Sequence, residues 1–269
     1  MKQSILFMTL AWGLARAALS LAGEPLPTSA DAVQATIDKF VRASSQTNWP
    51  SKADARRELT SLGVAVVPML TEAARNHSEA RVRRSCYELL TTSFAGDERT
   101  IDTLFRNGLL DQDPGIRYHC AFLLGDLKVQ RAEQALRALF EGSTGKDDQF
   151  LRFTLAKSLA QLGKADVMPV LIASVSDDAY MSRHIGNIGL KALSGKSLED
   201  FGGYVYGEGA YVSGGNEFKM KLDALTSAER KAGRFQAATA YLKWLKTERP
   251  DLYRSVNYRP NSRKAAAPQ

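Results

Sequence analysis

The chain has 269 residues, 44% apolar and 24% charged, a balance that excludes wholesale disorder and leaves room for one or two domains with a substantial core. Its formal net charge of +7 comes from 36 Lys and Arg dispersed among 29 Asp and Glu, so it does not mark a nucleic-acid binder.

Residues 1–22, "MKQSILFMTLAWGLARAALSLA", start with Lys2, continue as an apolar run from Ile5 to Ala15, and end on Ser20-Leu21-Ala22. Small residues at the two positions a signal peptidase reads predict a secretory signal, with Gly23 as the first mature residue. Arg16 interrupts the run, which disfavours a retained anchor, since an anchor needs roughly 20 apolar residues. Loss of Lys2 and Arg16 with the signal lowers the net charge by two. No later segment is apolar enough to cross a bilayer, so no stable membrane insertion is expected after cleavage.

Helical spacing begins in "DAVQATIDKFV", where Val33, Ile37, Phe40 and Val41 share a face, and continues in "ADARRELTSLG" with Ala55, Leu59 and Leu62. Beyond these the sequence repeats itself. An aliphatic opener recurs at Val82, Ile116, Leu151 and Met181, at separations of 34, 35 and 30 residues. Arg83, Arg117, Arg152 and then Ser182 follow directly, and four places after each opener come Cys86, Cys120, Leu155 and Ile185. Leu89-Leu90, Leu123-Leu124, Ser158-Leu159 and Ile188-Gly189 complete one face of an amphipathic helix. A first helix precedes each of these, marked by Leu70, Leu104, Leu139 and Leu171. The unit is helix, short turn, helix, and no stretch alternates long enough for a sheet. The expected fold is all-α, an α-solenoid of about five hairpins across residues 23–195.

Pro68 and Pro169 in first helices, Asp113-Pro114 at a turn and Ile116-Arg117 opening a second helix make residues 30–195 resemble short bacterial HEAT repeats, the kind also found in bilin-lyase-like proteins. Ser182 departs from the pattern, as does Ser78-Glu79 where Asp-Pro is expected. The resemblance implies a solenoid that mostly binds rather than catalyses. It also implies that the repeated arginines reach an Asp of a neighbouring turn, a structural ladder of Arg83, Arg117 and Arg152 with Asp113 and Asp148.

Cys86 and Cys120 take an inward position filled by Leu155 and Ile185 in other units, which suits buried thiols, with a disulfide as the alternative. The acid pairs in "DQDPG", "KDDQ" and "SDDAY" fall at turns before second helices, where Asp caps free N–H groups; a calcium loop begun at Asp111 would put Phe122 at its twelfth position. His77, His119 and His184 are too dispersed for one ion, and no Gly-x-Ser-x-Gly elbow or phosphate-cradling Gly loop is present. No catalytic residue, metal ligand or cofactor is therefore assigned.

Residues 196–216 include "FGGYVYGEGAYVSGGN", a loop whose Tyr204, Tyr206 and Tyr211 are candidate partner contacts. Residues 217–253 predict a helical cap with a stripe of Phe235, Ala238, Leu242 and Leu245, opened by Thr226 and Glu229 and ended by Pro250. Residues 254–269 form a basic tail expected to be disordered.

The expected function is a non-catalytic scaffold, periplasmic or secreted, that holds an envelope protein or peptide on the solenoid surface. Two alternatives are a small-ligand carrier or lyase-type enzyme with a solenoid pocket, and a binder of anionic envelope polymers through Arg81, Arg84 and the tail residues Arg254, Arg259, Arg263 and Lys264. Oligomeric state is not legible.

Overall fold

The computed structural model describes residues 30–46, 49–202 and 227–256, and every regular element among them is helical. Five hairpins follow one another: α1 Ala30–Ser45 with α2 Trp49–Ser61, α3 Val67–Asn76 with α4 Ala80–Ser93, α5 Glu98–Arg106 with α6 Pro114–Asp126, α7 Glu133–Gly142 with α8 Gln149–Gln161, and α9 Met168–Val175 with α10 Tyr180–Ser194. Two helices then close the array, α11 Ser227–Glu248 and α12 Pro250–Val256. The signal-like segment, Tyr204, Tyr206 and Tyr211, Thr226, and the tail beyond Val256 lie outside the described residues.

Local chemistry explains the boundaries. Pro68, Pro114 and Pro169 stand in the first positions of α3, α6 and α9, where a missing N–H costs nothing. Asp113 Oδ1 accepts from Ile116 N at 2.9 Å and so caps α6. Asp177 Oδ1 takes Ala179 N at 2.8 Å ahead of α10, whereas Asp148 precedes α8 without a side-chain cap bond. Between hairpins the chain turns through left-handed residues such as Gly63 and Gly163, and Lys128 does the same work at φ 51.

The second helices form one layer, with α4 against α6, α6 against α8 and α8 against α10, while first helices such as α3 and α5 pack behind them. Their shared core holds Phe40, Leu59, Leu70, Leu90, Leu104, Leu124, Leu136, Leu159, Leu171 and Leu190. The architecture is an all-α solenoid.

In the fifth hairpin the register differs from the expected one by a residue. Met181, the supposed opener, is 43% exposed, whereas Ser182 and Arg183 are buried. With Ser182 as opener, Arg183 takes the repeated arginine position, Gly186 the inward small position, and Leu190 matches Leu90, Leu124 and Leu159, all fully buried. In the fourth hairpin Leu136 rather than Leu139 is the fully buried leucine of the first helix.

The closing helices pack on the end of the array, α12 on α9 and the turn 165–167, α11 on the short turn Leu198–Phe201 and on α9. Tyr241 is fully buried there and donates to Ser194 Oγ at 2.9 Å, with Phe201 edge-on at 5.6 Å. The expected stripe is partly corrected. Ala237, Ala238, Tyr241 and Leu245 face inward, but Phe235 is 75% exposed, because it lies six residues and most of two turns from Tyr241, on the other side of α11.

Candidate interaction surface

The four repeated arginines share one duty, and it is local. Arg83 Nη1 donates to the carbonyls of His77 and Ser78 at 2.9 and 3.0 Å, and Arg117 Nη1 to those of Asp111 and Gln112 at 2.8 and 3.0 Å. Arg152 Nη1 donates to Phe140 and Ser143, and Arg183 Nη1 to Asp177 and Asp178. Each guanidinium thus satisfies carbonyls that the end of its own first helix or the following turn leaves open.

The ladder between repeats is narrower than the resemblance implies. Arg83 makes a two-pronged pair with Asp111, Nε to Oδ2 at 2.8 Å and Nη2 to Oδ1 at 2.7 Å, both side chains buried. Asp113 takes Arg84 instead, at 2.7 Å. Arg117 and Arg152 form no ion pair with an acid of the next turn, and Asp148 forms none at all among the described residues. The bond to Asp111 raises the Arg83 pKa, and burial alone lowers that of Arg152, which lies 4.3 Å over the Phe140 ring.

Cys86 and Cys120 are free, fully buried thiols. Burial pushes Cys86 up to about 12 and Cys120 well above the usual thiol range, so neither is a thiolate near neutral pH. Among the described residues no three of His, Cys, Asp and Glu group as metal ligands.

The layer of second helices carries a feature that sequence spacing missed. Tyr118 of α6 stacks on Phe150 of α8 at 4.7 Å and meets Phe122 at 6.1 Å. All three rings are half-buried, and Phe122 and Phe150 lie outside the core cluster. On α10, Tyr180 stacks on His184 at 5.8 Å beside exposed Met181. Gln149 Nε2 donates to Asp177 Oδ2 at 3.0 Å, tying the start of α8 to the turn before α10.

Beneath the rings Lys157 is fully buried. Its Nζ lies 3.5 Å from the Phe122 ring centre and donates to the Phe122 carbonyl at 3.0 Å and to Asp126 Oδ1 at 2.5 Å. Burial depresses the Lys157 pKa and Asp126 opposes that shift. The lysine therefore fixes the Phe122 edge of the aromatic run by cation–π attraction and a backbone bond. The missed signal was available: Glu88, Phe122 and Lys157 share one repeat position, six after the opener, off the core stripe.

Residues 104–185 match the family model for HEAT repeats. The matched HEAT span runs from α5 into α10 and contains the whole Tyr118–Phe122–Phe150 cluster. Among curated proteins, comparison of the sequence finds no match. No described helix is long and apolar enough to cross a membrane.

Proposed function

We propose that this protein is a non-catalytic scaffold of the bacterial cell envelope, binding a protein or peptide across the outer face of its second helices. HEAT repeats are in general interaction scaffolds, and stacked hairpins give them an extended surface. The observation that carries the reading is the stacked, half-exposed run of Tyr118, Phe122 and Phe150, because aromatic side chains turned out of a core are what protein interfaces enrich. The signal-like first 22 residues support an exported location, periplasmic or secreted, and the resemblance of residues 30–195 to short bacterial HEAT repeats supports the source.

A photo-crosslinking residue placed at 122, at 150 and, for comparison, at 235 tests this in the full chain expressed in a bacterial cell. A discrete envelope adduct from 122 and 150 but not from 235, on a chain whose N-terminus is Gly23, is the expected result. Adducts of equal yield from all three positions, or a chain retained in the cytoplasm with Met1 intact, would overturn it.

A further inference from the structure

A cleft of about 360 Å³ opens where the turn of the second hairpin meets the third, within the size range of small-molecule sites. None of its residues belongs to the aromatic run. Arg75 and Arg106, exposed in the last turns of α3 and α5, line it together with Asn107, Leu110 and Tyr87, and the Arg83–Asp111 pair lies at its base.

The charge in this cleft is unbalanced. Asp111 is fully engaged, since its oxygens receive Arg83 Nε, Arg83 Nη2 and Asp113 N. Arg83 and Asp111 cancel, which leaves the guanidinium groups of Arg75 and Arg106 in excess. Arg106 lies 3.9 Å from Asp102, a separation across which an exposed pair is weak. The carbonyls that would repel an anion at the end of α3, those of His77 and Ser78, are already occupied by Arg83.

The second sign is Tyr87. Only 1% of it is exposed, and its buried hydroxyl has no hydrogen-bond partner in the protein. Buried hydroxyls are nearly always bonded, so an orphan in the wall of a cationic cleft needs a partner from outside the chain. Leu110, 75% exposed, adds an apolar wall.

We propose that this cleft binds an organic carboxylate. The guanidinium forks of Arg75 and Arg106 take the carboxylate oxygens, Tyr87 and Asn107 supply further donors, and a short carbon body lies against Leu110. The apolar wall at Leu110 favours an organic carboxylate over inorganic phosphate, which has no carbon body to place there. The acid is either a free small molecule or the C-terminus of a polypeptide.

Calorimetric titration of the full-length protein with glutarate, with a leucine-terminated tripeptide and with its C-terminal amide separates the sources. Inorganic phosphate is the control anion. One carboxylate probe is expected to bind at one per chain, at least about tenfold more tightly than phosphate or the amide. Tightest binding of glutarate points to a small acid, and of the tripeptide to a chain terminus. Replacing both Arg75→Gln and Arg106→Gln should weaken binding about tenfold or more, while Lys191→Gln, exposed on α10 of the fifth hairpin, should leave it unchanged. Tyr87→Phe should weaken it by a smaller factor with the thermal midpoint held. No binding of any carboxylate at about 10 mM, binding kept in the double variant, or phosphate bound at least as tightly would overturn the proposal.

Discussion

Two junctions in this solenoid join neighbouring hairpins by different means. Between the second and third hairpins, the Arg83–Asp111 pair is buried, and the Arg84–Asp113 pair lies next to it. Between the third and fourth, the helices themselves come close. An added Cβ at Gly125 would stand 2.6 Å from Ser158 Cα, and Ser158 Oγ donates to the Ala121 carbonyl at 2.7 Å. Lys157 reaches the next carbonyl along, that of Phe122. The contrast separates what the repeat imposes from what each junction settles for itself. The repeat imposes an arginine that satisfies its own turn. Adhesion between units rests on a buried arginine–carboxylate pair at one junction, and at the next on a close backbone approach beside the Lys157–Asp126 pair.

The ionic junction is the easier to break. Asp111→Ala leaves Arg83 buried with Nε and Nη2 unpaired, and breaking a buried pair from one side costs about 3–5 kcal/mol. Asp148→Ala removes the acid that the ladder would have placed one junction on, and should cost less than about 0.5 kcal/mol, as for a surface change touching no partner. Urea midpoints of the two variants measure the gap, and equal shifts would mean that Asp148 holds its junction as firmly as Asp111 holds the other. Joint replacement by Arg83→Met and Asp111→Leu should recover most of the loss, since a buried pair is often matched by apolar residues of similar volume.

The close junction is tested by a single methyl group. At Gly125 the neighbour is the backbone of α8, which cannot swing aside, so Gly125→Ala should cost about 2–3 kcal/mol by overpacking. Gly142, at the end of α7, has nothing within 4 Å of the same added atom, and alanine there should be neutral or stabilise by up to about 1 kcal/mol. Thermal unfolding of both variants compares them directly. A neutral Gly125→Ala would show that α6 and α8 can separate without penalty.

What the sequence made legible follows the same division. The helical period placed all five hairpins and most of the buried leucines, Leu136 and Leu190 apart, because burial on one face leaves a periodic trace whatever the partner. The fifth hairpin slipped by one residue, since Met181 looks like an aliphatic opener and Ser182 does not, although Arg183 keeps the repeated hydrogen bonds. Asp111 and Asp113 stand two apart in one turn, and spacing cannot say which caps the helix and which turns inward to Arg83. Outward aromatics were overlooked for a related reason. Tyr118 and Phe122 fall between the stripe positions Ile116, Cys120 and Leu124, and spacing alone gives no sign that Tyr118 stacks on Phe150 of the next repeat.

The smallest expected effect lies on the seam that the ionic junction shares with α6. His119 is half-buried, its buried Nε2 has no partner in the protein, and burial lowers its pKa; Glu88 raises it and Arg84 lowers it to lesser extents. The folded protein therefore holds this imidazole neutral, while the unfolded chain protonates it near pH 6.5. Above that pH the shift contributes nothing. As pH falls below it, the unfolded state gains a proton that the folded state resists, and stability drops by at most about 1.4 kcal/mol per pH unit until the folded pKa is reached. The lowered pKa values of Glu58, Asp97, Asp113 and Asp200 act in a different window. Their stabilisation is present above the usual carboxylate range and is lost as pH falls through it. Below about pH 6.5 and above the carboxylate range, the decline in urea midpoint belongs to His119, and His119→Gln should flatten it while the fall within the carboxylate range remains. A slope unchanged in that variant would place the titrating group elsewhere.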